Sequence, residues 1–169
     1  AWGETNGEDD VSDFYRIEID PKNSNHYIYD EESIPFDTRE ETILIRGNAF
    51  KFPQDTTFIV KSTKHGPIII ESEQDDLSSY SRGLTAIYSD INLAFRWLAH
   101  DPTKEIKAFY ELNHATNYKE FLDALYDFEC PCQNFVYADI FGNIGMYHKG
   151  KLPIRCEQNG KGILPGNKS

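Results

Sequence analysis

Apolar and polar positions alternate with period two along much of the first half of the chain. Phe14-Tyr15-Arg16-Ile17-Glu18-Ile19 and Glu41-Thr42-Ile43-Leu44-Ile45-Arg46 carry the pattern of half-buried strands. His26-Tyr27-Ile28-Tyr29 follows the turn-forming Pro21-Lys22-Asn23-Ser24-Asn25, and Thr57-Phe58-Ile59-Val60-Lys61 follows Pro53. Residues 14–70 therefore predict a mostly antiparallel sheet. Glu71-Ser72-Glu73-Gln74-Asp75-Asp76 reads as a polar loop, after which the period lengthens. Residues 104–115 place Ile106, Phe109, Tyr110 and Leu112 on one helical face, and residues 118–128 do the same with Phe121, Leu122, Leu125 and Phe128. Asp101 or Thr103 is expected to cap the first helix, and Asn117 the second, with Glu120 completing a capping box. Phe135-Val136-Tyr137-Ala138-Asp139 and Ile144-Gly145-Met146-Tyr147-His148 return to strand around Phe141-Gly142-Asn143, a hairpin. The tail from Gly150 to Ser169 lacks periodicity and is expected to be irregular. The expected fold is α+β in three parts: strand-rich 1–76, mainly helical 77–130, and a hairpin with its tail at 131–169.

Composition narrows the partners. Seventeen basic and 28 acidic residues leave a formal charge of −11, so nucleic acid and anionic lipid surfaces would repel the chain. The longest apolar runs are short strands such as Pro67-Ile68-Ile69-Ile70, far below the roughly 18–20 residues a membrane helix needs. The first residue is not Met and no signal peptide opens the sequence, which reads as processed or excised. Three cysteines exclude a complete disulfide framework. Cys130-Pro131-Cys132 lacks the second pair of a zinc finger, so the thiols read as small buried side chains at a helix-to-strand turn.

Candidate chemistry is sparse in the residues themselves. The histidines at 26, 65, 100, 114 and 148 do not form the helical pair of a metalloprotease, and no Gly-x-Ser-x-Gly elbow is present. His65, beside Gly66 and Pro67 at a strand end, reads as a structural hydrogen-bonding group. Asp10 and Asp13 with Ser12 between them offer hard oxygen ligands suited to calcium, although composition alone favours a solvated acidic loop.

An ordered series of short blocks adds more. It comprises Ala1-Trp2-Gly3-Glu4-Thr5-Asn6, Asp10-Val11-Ser12-Asp13-Phe14-Tyr15, Arg39-Glu40-Glu41-Thr42-Ile43, Thr63-Lys64-His65-Gly66-Pro67-Ile68 and Phe95-Arg96-Trp97. It continues through Asn134-Phe135-Val136-Tyr137-Ala138-Asp139, Gly142-Asn143-Ile144-Gly145 and Lys151-Leu152-Pro153-Ile154-Arg155 to Leu164-Pro165-Gly166. This series closely resembles the penicillin acylase (penicillin amidase) family of N-terminal-nucleophile hydrolases.

The resemblance implies a four-layer α-β-β-α sandwich, and an enzyme that hydrolyses a non-peptide amide through an acyl-enzyme on an N-terminal serine exposed by precursor self-cleavage. That serine would lie upstream of Ala1, and an oxyanion-hole asparagine downstream of Ser169. The chain is then an internal β-subunit segment, inactive alone, whose partners are the α-subunit, the rest of the β-subunit and a small amide substrate. Family members are often periplasmic or extracellular. Asn6 falls where the family uses a backbone N–H as an oxyanion donor. Asp10, Ser12 (through its carbonyl) and Asp13 fall where members bind a structural calcium. Glu4, Glu8 and Gln133 fall near the acyl pocket; aromatic-acid acylases carry apolar or small residues at several of these positions. That departure speaks against a phenylacetyl preference and leaves a long-chain acyl homoserine lactone or another amide open. The competing expectation is a free-standing, acidic, calcium-dependent binding module without catalysis.

Overall fold

The alternation at residues 14–19 turns Ile17 into an apolar core, whereas the strand over residues 41–45, expected to be half-buried, leaves Ile43, Leu44 and Ile45 exposed and is held by its pairing with residues 54–58. The computed structural model describes residues 1–47, 52–70, 91–155 and 160–168. In chain order the first strands are β1 (Trp2–Asn6), β2 (Ser12–Ile17), β3 (Ile19–Asp20), β4 (Asn23–Tyr29) and β5 (Glu32–Pro35). Then come β6 (Asp37–Ile45), β7 (Gln54–Thr63), β8 (Gly66–Ile70) and β9 (Asn92–Trp97). Helices α1 (Glu105–His114) and α2 (Tyr118–Ala124) precede β10 (Gln133–Ala138), β11 (Ile144–Lys149) and β12 (Ile163–Pro165). The expected α+β character is what forms; the acidic loop at 71–76 and Cys156 lie outside the described residues. No helix of the described residues is long and apolar enough to cross a membrane.

The chain divides into two units, each assembled from two segments. The first joins Ala1–Ser12 to Trp97–Gly160. In it β1, β10 and β11 form an antiparallel sheet with β10 central, and the hairpin read from the sequence is its second half. Asp139 sets the hairpin turn by accepting from the N–H groups of Phe141 (2.9 Å) and Asn143 (3.0 Å). Phe135 and Tyr137, alternate residues of β10, pack against Ala108 and Leu112 of α1 and Phe121 and Ala124 of α2, with Leu125 and Phe128 closing the layer. Trp2 of β1 joins from the edge, its ring 6.4 Å from Phe135.

The buried face of α1 is not the expected one. Ile106 and Tyr110 are 84% and 66% exposed, while Ala108 and Leu112 are buried and Phe109 packs at the margin. Ranking positions by side-chain size draws attention away from Ala108, yet 108, 109 and 112 have the spacing that meets a neighbouring element. The cap of α1 also differs: Lys104 is the N-cap without a side-chain bond, and Thr103 Oγ1 donates to the Glu105 carboxylate instead. Glu105 in turn accepts from the N–H groups of Glu129 and Cys130, both at 3.1 Å, tying the start of α1 to the chain leading into β10. Burial works to raise the Glu105 pKa, but these bonds and that from Thr103 hold it below the usual value.

Asn117 caps α2 as expected, accepting from Glu120 N at 3.0 Å. The return bond reaches one residue further back than in a capping box, with Glu120 accepting from Thr116 N at 2.7 Å. Asn117→Ala is expected to cost about 1 kcal/mol, read as a lower denaturant midpoint with unchanged slope. The helix stops at Ala124 and the chain tightens into a 3-10 turn over Leu125–Asp127, which still directs Leu125 inward.

The second unit joins Asp13–Arg96 to Lys161–Ser169. A six-stranded sheet runs in the order β12-β2-β9-β8-β7-β6, and a three-stranded sheet in the order β3-β4-β5. Ile17, Tyr27, Tyr29, Phe36 and Ala94 form its core. The tail is more ordered than its composition suggests: Ile163, Leu164 and Pro165 pair in parallel with Phe14, Tyr15 and Arg16. β12 carries no recognisable alternation because three residues are too few, whereas β9 does alternate, with Leu93, Phe95 and Trp97 on one face and Asn92, Ala94 and Arg96 on the other. His65 lies against Tyr15, ring centroids 4.0 Å apart, and burial lowers its pKa; the ring serves packing here.

Candidate active-site edge and metal-ligating cluster

Ladder geometry decides where the amides of β1 point. Ala138 N donates to Ala1 O and Gly7 N donates to Cys132 O, both at 2.9 Å, so pairs at these positions exchange hydrogen bonds. In an antiparallel ladder hydrogen-bonded pairs alternate with non-hydrogen-bonded ones. Asn6, paired with Gln133, falls on the non-bonded class, as does Glu4, paired with Phe135. β1 is an edge of this sheet, so the Asn6 N–H is directed outward, away from β10. Register thus brings Asn6 and Gln133 face to face, with exposed Glu4 two residues along. Glu8 stands past the strand end, exposed and in the left-handed backbone region (φ 60°), a conformation costing roughly 1 kcal/mol or more for a non-glycine residue.

Asp10 and Ser12 are held by a side-chain cation. Arg155 Nη2 donates to the carbonyls of Asp10 and Ser12, both at 3.3 Å, and lies 3.1 Å from Asp10 Oδ1. Asp13, at the start of the second unit, is 6% exposed. A calcium ion using the Ser12 carbonyl and the Asp10 carboxylate would meet the Arg155 guanidinium on the same oxygens.

A second cluster was not foreseen. Asp9, Cys132 and His148 come from three separate segments, and their ligand atoms lie within 4.8 Å of one another. Asn134 orients the histidine: its Nδ2 donates to Asn6 O at 3.1 Å, which turns its Oδ1 toward His148 Nδ1 at 2.7 Å. His148 Nε2 then faces Asp9 Oδ2 at 2.8 Å. That oxygen is sealed from solvent and accepts no directed hydrogen bond among the described residues. The Cys132 thiol is buried and its pKa is pushed up to about 11, by burial first and then by the charge of Asp9. A free thiol in that state is a poor nucleophile at neutral pH. The only sequence-level hint was Cys130-Pro131-Cys132; the two cysteines do not act as a pair, since only Cys132 joins the cluster.

Three findings place the chain among known proteins. The sequence profile of the penicillin amidase family matches residues 1–169. The penicillin G acylase of Escherichia coli is 26% identical over 155 residues, which is 92% of this chain and 16% of that protein. A solved structure of a thermostable penicillin G acylase from Alcaligenes faecalis, in orthorhombic form, superposes with a TM-score of 0.74 at 27% identity, covering 99% of this chain and 27% of that one. The chain thus spans about a sixth of the curated relative and about a quarter of the solved one.

Proposed function

The chain belongs to the penicillin amidase family, and from that premise we propose that it is part of a hydrolase that cleaves a non-peptide amide through an acyl-enzyme. The nucleophilic serine lies outside residues 1–169, within the four-layer sandwich of the family. Asn6 supplies a backbone N–H to the oxyanion, and Glu4, Glu8 and Gln133 line the approach of the acyl group. A polar rather than phenylacetyl-type acyl approach follows from those three side chains. One observation carries this reading: the edge position and ladder class of Asn6 leave its amide pointing off the sheet. An outward amide can meet developing negative charge without breaking a strand pair.

The test uses the full-length enzyme and a chromogenic amide. Asn6→Pro removes the N–H at a position where an edge strand tolerates proline, and is expected to lower kcat about a hundredfold. Asn6→Ala, which keeps the amide, is expected to change kcat little. Equal losses in both variants, or none in either, would remove Asn6 from the oxyanion site. Turnover by residues 1–169 alone would overturn the placement of the nucleophile outside them.

A further inference from the structure

We propose that Asp9, Cys132 and His148 form a three-ligand site for a borderline divalent metal ion, zinc foremost, with a fourth position open to water. The donor set is one carboxylate oxygen, one thiolate sulfur and one imidazole nitrogen, the combination suited to zinc rather than to calcium or magnesium. Tetrahedral zinc, with bonds of about 2.0–2.3 Å, needs donors roughly 3.5 Å apart, and the three donor atoms here all lie within 4.8 Å of one another.

The surroundings favour an ion over a simple side-chain contact. With Nδ1–H donated to Asn134 Oδ1, a neutral His148 turns its Nε2 lone pair toward the Asp9 carboxylate at 2.8 Å, and two acceptors then oppose each other. A cation between them resolves the opposition, and the Asn134 contact is the kind of outer bond that fixes a metal-binding tautomer. Asp9 Oδ2 is enclosed without a directed donor, so it stands ready as a ligand. Space is also kept open: a Cβ at Gly150 would lie 2.4 Å from Cys132 Sγ, and one at Gly7 would lie 2.8 Å from both Asp9 Oδ2 and His148 Cε1. Binding displaces the Cys132 proton to solvent and leaves a thiolate on the metal. The alternative that needs no metal is an imidazolium–carboxylate pair between His148 and Asp9.

Titrating the 169-residue chain with cobalt(II) as the probe separates the two. Expected are the near-ultraviolet thiolate charge-transfer band and the intense visible bands of tetrahedral cobalt, both erased by one equivalent of zinc. Cys132→Ser should abolish the charge-transfer band while Cys130→Ser keeps it. Because Cys132 is buried, His148→Gln at an exposed position serves as the second variant, and should weaken cobalt binding at least about tenfold with an unchanged far-ultraviolet circular dichroism spectrum. Asn134→Ala should weaken it about tenfold through the freed imidazole. Absence of the charge-transfer band in the unmodified chain, or its survival in Cys132→Ser, would overturn the site in favour of the ion pair.

Discussion

Phe135→Ala is expected to destabilise the first unit by about 3–5 kcal/mol, the range for emptying a buried aromatic position. The ring is 0% exposed and stands at the centre of the layer between sheet and helices. It meets Phe128 edge-on at 5.0 Å between centroids and leans on Trp2 at 6.4 Å, so truncation removes aromatic contacts as well as apolar area. The residues around it come from β1, both helices and β10, and no single element can move in to fill the void. Since whole domains are stable by only about 5–15 kcal/mol, this substitution removes a large share of the unit's stability. Chemical denaturation followed by tryptophan fluorescence reads the loss through Trp2. A loss below about 1 kcal/mol would mean that the layer can repack.

Gly66→Val is expected to act as strongly in the second unit, by about 4 kcal/mol or more. Gly66 opens β8 at the tight turn from β7, with φ +121°, a region closed to β-branched side chains. A Cβ there would lie 2.2 Å from the carbonyl oxygen of Phe95, in the strand next to β8. The obstacle is backbone, which cannot rotate aside as a side chain can, so relief requires parting β8 from β9. Those two strands are inner members of the six-stranded sheet, and separating them divides it. A circular dichroism melt compares the variant with Gly142→Ala, where a Cβ would meet nothing within 4 Å and only the φ of +85° resists. If Gly66→Val melts no lower than that control, the close approach to Phe95 does not matter.

How far the sequence discloses this molecule depends on how local the determining contact is. The alternation at residues 14–19 and 41–46, the Asn117 cap and the 133–149 hairpin rest on neighbours a few residues apart, and they were legible. The buried face of α1 was not, because Ala108 gains its importance from Phe128 and Phe135, residues no helical period can point to. β12 was missed for a similar reason: three residues become a strand only beside β2. For the candidate site, the family resemblance indicated Asn6, Glu4, Glu8 and Gln133, but the direction of the Asn6 amide depends on ladder parity and needed the paired strand. Asp9, Cys132 and His148 were invisible together, since each type is unremarkable alone and only β1, β10 and β11 side by side bring them into one place.

The interleaving of the two units also dictates the order in which a nascent chain can mature. Residues 1–12 leave the ribosome well before the rest of their unit, since their sheet partner in β10 begins only at Gln133. The second unit likewise receives its last strand only when Ile163–Pro165 has been made. Neither sheet can close before those late strands have been synthesised, because the costly long loops must be drawn together before their pairing repays them. During that interval β2 and β1 expose unpaired edges, the circumstance in which folding helpers that shield nascent strands would matter most to this protein.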